Sequence, residues 1–317
     1  MHLLPHDQWG SAPTRKGFGT GLKMAGEQNE DVVALCADLT GSVQMNVFAE
    51  AFPERFVEVG IAEQNLVTVA SGMARMGKIH FTASYAAFSP GRSWEQIKTT
   101  AALNNMPVKV IGAHAGLYTG PDGATHQMLE DVAIMRAMPN MVVIVPGDAV
   151  EAEKATLAMA ADPRPNYLRL ARDNSPVFTT EHTPFEIGKA YVFAPGHDLT
   201  IIANGTMTSV ALDAAERLFK DGIDAEVVHC PTVKPLDSAT ILASVKKTRK
   251  VIVIEEAQKA GGLGGAVTEL LSEHDPVPVI RMGVADVYGE TGTPEELLKQ
   301  HKLTAEDIMV NAHRLVG

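Results

Sequence analysis

Three sets of residues have the types and spacing to do chemistry. The first is Glu63, in the run Val57-Glu58-Val59-Gly60-Ile61-Ala62-Glu63-Gln64-Asn65, where an expected strand gives way to an expected helix. A carboxylate there can simply answer the positive end of the helix dipole. The following turn, Leu66-Val67-Thr68-Val69-Ala70-Ser71-Gly72, is apolar and small, however. A carboxylate entering so buried a helix needs a polar partner. The second set is the loop from His114 to Gln127, which concentrates two His, one Asp, three Gly and one Pro directly after a strand. Asp122-Gly123 is a strong turn pair, so Asp122 has a loop-forming reading as well. His114 and His126 lack a third ligand at zinc-like spacing, which favours hydrogen bonding to a polar substrate or proton transfer over metal binding. The third set is Arg15, Ser42 and Arg172. Converging from strand-end loops, they would make a phosphate site, because guanidinium forks match phosphate oxygens. Taken singly, each reads as a cap or a surface charge.

The elements that must position these residues alternate along the chain. Short β-branched runs at 32–37, 56–59, 79–82, 108–113, 141–145 and 167–170 are separated by helical patterns such as 15–27, 63–76, 94–104 and 149–161. Strands apolar on both faces imply a parallel sheet covered by helices, a doubly wound α/β domain. A Pro-, Thr- and Gly-rich stretch from 173 to 197 breaks the rhythm and puts a domain boundary near Phe185, giving domains 1–184 and 185–317. Strands then recur at 199–203, 225–229, 251–255 and 277–281, helices at 208–221, 238–246 and 265–273, and a helical tail at 294–315. In open parallel sheets ligands sit beyond the carboxyl ends of the strands, where all three sets fall.

Composition narrows the function classes. With 317 residues, 45% hydrophobic and 21% charged, the chain suits two soluble α/β domains. A formal net charge of −11 argues against a nucleic-acid surface. Neither a signal peptide nor an apolar run of the ~20 residues that span a bilayer is present, so the expected compartment is the cytoplasm, with no membrane partner. Cys36 and Cys230 read as small buried hydrophobes. Gly17-Phe18-Gly19-Thr20-Gly21 and Gly261-Gly262-Leu263-Gly264-Gly265 lack a full dinucleotide fingerprint and are expected to serve close packing or a helix start. Glu255-Glu256 reads as a solvated or interdomain pair.

The run Gly60-Ile61-Ala62-Glu63-Gln64-Asn65 resembles the pyrimidine-binding domain of transketolases, with Glu63 at the position of the family's essential glutamate. Tyr85 and Phe88 are similar to the aromatic pair beside the cofactor's aminopyrimidine ring, although Ser89-Pro90-Gly91 makes the following run one residue longer than the family's. The loop from His114 to His126 resembles the family's substrate loop, and Ala37-Asp38-Leu39-x-x-Ser42 and Arg172-Asp173-Asn174 match further segments. The resemblance implies a thiamine diphosphate pyrimidine-binding domain followed by a smaller C-terminal transketolase-type α/β domain. It further implies cofactor contacts from Glu63, Tyr85, Phe88, Asp38 and Leu39, with catalysis by Glu63 and His126. Sugar-phosphate contacts would come from Arg15, Ser42, His114, Asp122, His126 and Arg172. No Gly-Asp-Gly motif of the diphosphate-binding domain occurs, so a partner chain carrying that domain is expected to ligate the Mg²⁺. Self-association through the pyrimidine-binding domain, helped by the small residues Ala70, Ser71, Gly72 and Ala74, would complete a heterotetramer. The expected activity is transfer of a two-carbon ketol unit between sugar phosphates. Rival readings are a 2-oxoacid dehydrogenase beta subunit, part of a 1-deoxyxylulose-5-phosphate synthase, and a non-catalytic regulatory or scaffolding subunit.

Overall fold

Runs that are apolar on both faces become the inner strands of two mainly parallel sheets in the computed structural model, which describes residues 2–317. In chain order the strands are β1 (Gly10–Ala12), β2 (Val32–Cys36), β3 (Phe56–Glu58), β4 (Ile79–Tyr85), β5 (Val108–Ala113), β6 (Val142–Ile144) and β7 (Asn166–Arg169). There follow β8 (Ser175–Val177), β9 (Tyr191–Ala194), β10 (Leu199–Ala203), β11 (Ala225–His229), β12 (Thr232–Lys234), β13 (Val251–Gln258) and β14 (Val279–Val284). The first sheet has the order β12-β6-β7-β5-β4-β2-β3 and the second β14-β13-β10-β11-β9. Only the edge strands β12 and β9 run antiparallel within them. Because β12 follows β11 in sequence yet pairs with β6, the chain crosses back over the boundary near Phe185 to close the first sheet.

Helices cover both faces of the first sheet. On one face, Thr14–Gln28 and Ala149–Ala161 bury Phe18, Leu22, Ala155 and Met159 against β2, β4 and β6. On the other, Leu66, Val67 and Ala70 of helix Glu63–Ala74 join an apolar layer that continues into Ile202, Val228 and Val253 of the second sheet. The glycine-rich run 17–21 is a packing face, as expected. A Cβ at Gly17 would lie 1.8 Å from the Ala149 carbonyl oxygen, and one at Gly21 would lie 2.7 Å from that of Glu153. The run 261–265 is a helix start: Leu263–His274 begins there, and Glu255 accepts the N–H groups of Leu263 and Gly264, each at 2.8 Å. Both cysteines are buried and free. Among the described residues no helix is long and apolar enough to cross a membrane.

Several details differ from the expectations. The 94–104 segment is a short α-turn, Trp94–Gln96, running into a π-helix, Ile97–Ala102. The tail splits into Pro294–Gln300 and Ala305–Val316, because Thr304 and Asp307 form a capping box that starts a new helix. Glu255 and Glu256 are buried inside β13, which extends to Gln258, so neither is solvated. Of the small residues assigned to self-association, Ala70, Ser71 and Ala74 face inward with Glu63, Leu66 and Val67 on the helix's 3.6-residue period. Only Gly72 has open space at its Cα.

Two glycines give opposite expectations. Gly17→Ala forces the helices Thr14–Gln28 and Ala149–Ala161 apart and should cost about 2 kcal/mol or more. Gly72→Ala, in an exposed helical position, should be neutral or stabilise by up to ~1 kcal/mol. Denaturant midpoints at equal m-value check both, and a Gly17→Ala chain as stable as the parent would contradict the packing account.

Candidate active site at the strand ends

Five neighbouring strands of the first sheet end on the same side, and the loops beyond them carry the candidate residues. Asp38 follows β2, Glu63 follows β3, Tyr85 closes β4, His114 follows β5 and Arg172 follows β7. Glu58, the last residue of β3, ties two of these loops together. Its carboxylate accepts the Asp38 N–H at 2.8 Å, the Thr40 hydroxyl at 3.0 Å and the Gly60 N–H at 3.0 Å. Asp38 sits at φ 59° and Gly60 at φ 72°, so both turns need such holding. Glu58 was not among the candidates; a carboxylate at a strand end has no sequence signature that separates it from a surface charge.

Glu63 is 2% exposed and opens onto a groove of ≈ 520 Å³ lined by Ile61, Gln64, Asn65, Arg92 and Gln96. Arg92 Nη1 donates to Glu63 Oε2 at 3.0 Å, while Oε1 has no hydrogen-bond partner among the described residues. The polar partner expected for a buried carboxylate is therefore Arg92, another residue that spacing did not single out. Its guanidinium also lies 5.2 Å from the centre of the Phe88 ring. From there an aromatic shelf runs inward. Phe88 stacks on Tyr85 at 5.9 Å, and Tyr85 stacks on His114 at 3.8 Å. His126 meets Tyr85 and Phe88 edge-on at 5.8 and 5.6 Å. The longer run Ser89-Pro90-Gly91 thus leaves Phe88 on the shelf.

Arg15, Ser42 and Arg172 do converge. The Thr14 hydroxyl accepts the Ala171 N–H at 2.8 Å, which sets the helix start beside the end of β7. Arg15 then donates from Nε to the Arg172 carbonyl at 3.0 Å and from Nη1 to the Ser42 carbonyl at 2.6 Å. Ser42 meets Arg15 through its backbone oxygen. Arg172 Nε lies 3.6 Å from Asp122, and its Nη1 donates to the Thr119 carbonyl at 3.3 Å. Burial, and then the facing charge of Arg172, lower the pKa of Arg15. Burial, followed by Arg15, Arg172 and His126, drops His114 to about 3, so its ring is neutral at pH 7. His114 also sits at φ 55°, and its Nδ1 is buried with no partner. Leu39 is half-buried beside this cluster and packs on the core under β2. Among the described residues no group of three or more His, Cys, Asp or Glu side chains is placed to hold a metal.

An acid at a groove, an aromatic shelf and a guanidinium pair gather at the carboxyl ends of a parallel sheet, where α/β domains bind their ligands. Residues 11–177 match the family description "Transketolase, pyrimidine binding domain", and residues 188–308 match "Transketolase, C-terminal domain". A putative transketolase C-terminal section from Methanocaldococcus jannaschii is 43% identical over 93% of this chain and 93% of that protein. The 6-deoxy-6-sulfo-D-fructose transketolase subunit SqwH of a Clostridium species is 40% identical over 91% of this chain and 90% of that protein. A solved structure described as a split gene transketolase, inactive beta4 tetramer, has a TM-score of 0.90 and 41% identity, covering 96% of this chain and 98% of that one. The chain belongs to the transketolase family. Within it, the chain spans the pyrimidine-binding and C-terminal domains and corresponds to proteins described as sections or subunits of a split transketolase.

That family uses thiamine diphosphate, and the residues present fit the ring half of the cofactor. Glu63 offers an unengaged carboxylate oxygen at the groove, Tyr85 and Phe88 offer stacking faces, and the orphaned His114 Nδ1 lies beside them. The depressed pKa of His114 is testable without any ligand. The unfolded chain takes up this proton near 6.5 and the folded chain near 3. Stability contributed by the neutral ring is therefore present above about pH 6.5 and lost as the pH falls through that window. With histidine-selective ¹⁵N labelling, the His114 resonances should stay those of a neutral ring from about pH 8 to about pH 5. A midpoint above about pH 6 would remove the electrostatic account.

Proposed function

We propose that this chain is one subunit of a transketolase that moves a two-carbon ketol unit from a ketose phosphate to an aldose phosphate. It acts only with a cytoplasmic partner bearing the diphosphate-binding domain, which ligates most of the Mg²⁺, and the two form a heterotetramer. The observation that carries the reading is the Arg15–Arg172 pair bracketing the His114–Asp122 loop beside the shelf that leads to Glu63. A cation pair at that point suits the remote phosphate of a sugar phosphate better than a 2-oxo acid, whose carboxylate adjoins its reacting carbonyl. The relatives support a split arrangement, since one is described as a transketolase subunit and another as an inactive tetramer of beta chains.

When bound, thiamine diphosphate supplies a thiazolium carbon able to carry negative charge while a carbon–carbon bond is exchanged. Glu63 Oε1 would hold a proton toward ring nitrogen N1′ of the cofactor, and Arg92 steadies the carboxylate from its other oxygen. Tyr85 and Phe88 would offer stacking faces to the ring, and the Asp38–Leu39 turn, braced by Glu58, would help hold it. Arg15, Arg172, Ser42 and neutral His114 hold the phosphate end, which orients the reacting end through remote binding energy. Asp122 accepts a hydrogen bond from the acceptor's hydroxyl next to its aldehyde. His126, lying edge-on to the shelf, contacts the donor's oxygens near the reacting carbons.

In the reconstituted complex, Glu63→Gln should slow hydrogen–deuterium exchange at cofactor C2 by ~10²-fold or more while cofactor affinity falls only modestly. Unchanged exchange would remove Glu63 from its role. Arg172→Ala should raise KM for phosphorylated sugars by about tenfold or more, with a much smaller effect on unphosphorylated acceptors. Robust transketolase activity from the rigorously purified single chain would overturn the need for a partner.

A further inference from the structure

The buried Glu255-Glu256 run does two different jobs, and only the first is local. Glu255 caps its own domain's helix, whereas Glu256, 3% exposed, reaches out of the second sheet into the first domain. Its Oε2 accepts the Tyr118 N–H at 3.0 Å, inside the His114–Gln127 loop. Its Oε1 is held by the Thr206 hydroxyl at 3.1 Å and by Arg169 Nη1 at 3.2 Å. Two more bonds cross at the same loop: Gln258 N–H to the Leu129 carbonyl at 2.8 Å, and Gln127 Nε2 to the Glu290 carbonyl at 2.9 Å. From Tyr118 the connection runs on to the cations. The Tyr118 carbonyl accepts the Asp173 N–H at 3.0 Å, and the neighbouring Thr119 carbonyl accepts from Arg172.

We propose that Glu256 is a positioning residue by which the C-terminal domain sets the substrate loop: its carboxylate fixes the Tyr118 N–H and thereby the Thr119 carbonyl, Arg172 and Asp122. Glu256 touches no substrate; recognition of the sugar phosphate is tuned from the second domain through one backbone hydrogen bond. The proposal rests on the reading of this loop as the substrate site.

Asp131 provides the control. It is as buried as Glu256 and takes the other side of the same guanidinium, with Arg169 Nε at 3.0 Å, but it makes no bond to the 114–127 loop. Amide hydrogen exchange followed by mass spectrometry on the full chain, and steady-state kinetics on the reconstituted complex, are compared for Glu256→Gln, Glu256→Asp, Thr206→Val and Asp131→Asn. Glu256→Gln should speed exchange at the Tyr118 and Thr119 amides by about tenfold and raise KM for phosphorylated sugars by about tenfold, with kcat changed about twofold or less. Glu256→Asp should recover part of both. Thr206→Val, which keeps the ion pair with Arg169, should shift both in the same direction by a smaller factor, and it carries the test if Glu256→Gln does not fold. Asp131→Asn should lower thermal stability while leaving KM and Tyr118 exchange as in the parent. The proposal is overturned if Glu256→Gln (or, failing its folding, Thr206→Val) leaves both readouts unchanged, or if Asp131→Asn moves them equally. If instead Arg172→Ala and Asp122→Ala leave KM unchanged while the Glu256 variants still loosen Tyr118, the fault lies in the substrate-site reading and the positioning bond stands.

Discussion

A guanidinium almost wholly out of water lies between the two sheets. Arg169 closes β7, with its side chain 4% exposed, and it finds Asp131 on one side and Glu256 on the other. Leaving such a charge without its counter-ions would cost several kcal/mol, so both carboxylates must be in place. Burial pulls the Arg169 pKa down, but Asp131 and Glu256 outweigh it and hold the group above its ordinary value. Asp131 belongs to the first domain and Glu256 to the second, so the second ion pair forms only when the domains are docked. The His114–Gln127 loop crosses this cluster so closely that a Cβ at Gly116 would sit 2.3 Å from Arg169 Nη2. Glycine at φ 74° is what lets the loop pass. The geometry of His114, Asp122 and His126 is thus inherited from domain docking.

The electrostatics of the candidate site run against those of the whole chain. The net charge is −11, yet Arg15 and Arg172 lie together with enough field to help keep the neighbouring His114 imidazole neutral. A patch of one sign set in a surface of the other would focus attraction on an anion there without inviting a polyanion to the rest of the molecule. Arg15 spends two of its N–H groups on backbone carbonyls, which orients the guanidinium, and Arg172 is oriented likewise by Thr119. Asp122 and Asp173 temper the charge on one side only.

The alternation of strands and helices, and the loops that follow them, were legible in the sequence because burial on both faces and turn chemistry are local properties. Residues at strand ends, such as Glu63, His114 and Arg172, could be found by that rule. The short strands β1, β8 and β12 could not: they exist because distant partners pair with them, and nothing in Thr232–Lys234 announces that it joins the other domain's sheet. Glu58, Arg92 and Glu256 escaped for the same reason. Each acts through a partner 18 to 138 positions away, and a charged side chain in sequence looks alike whether it meets water or a buried N–H. Local periodicity likewise missed the inward turn of Ala70, Ser71 and Ala74, since small residues pack equally well within a chain and between chains.

One side of the molecule stays unlike the rest. Ile61, Met76 and Leu103 are each at least 75% exposed, and Ile61 borders the groove at Glu63. Exposed large hydrophobics scattered singly are ordinary, but Ile61 stands at the rim of the groove onto which a buried acid opens. Glu63 Oε1 opens toward that same surface. The acid is held by this chain, while the wall opposite it is not. A buried acid beside a groove open on one flank is a surface that a further polypeptide would dry on covering it, excluding water from the carboxyl group.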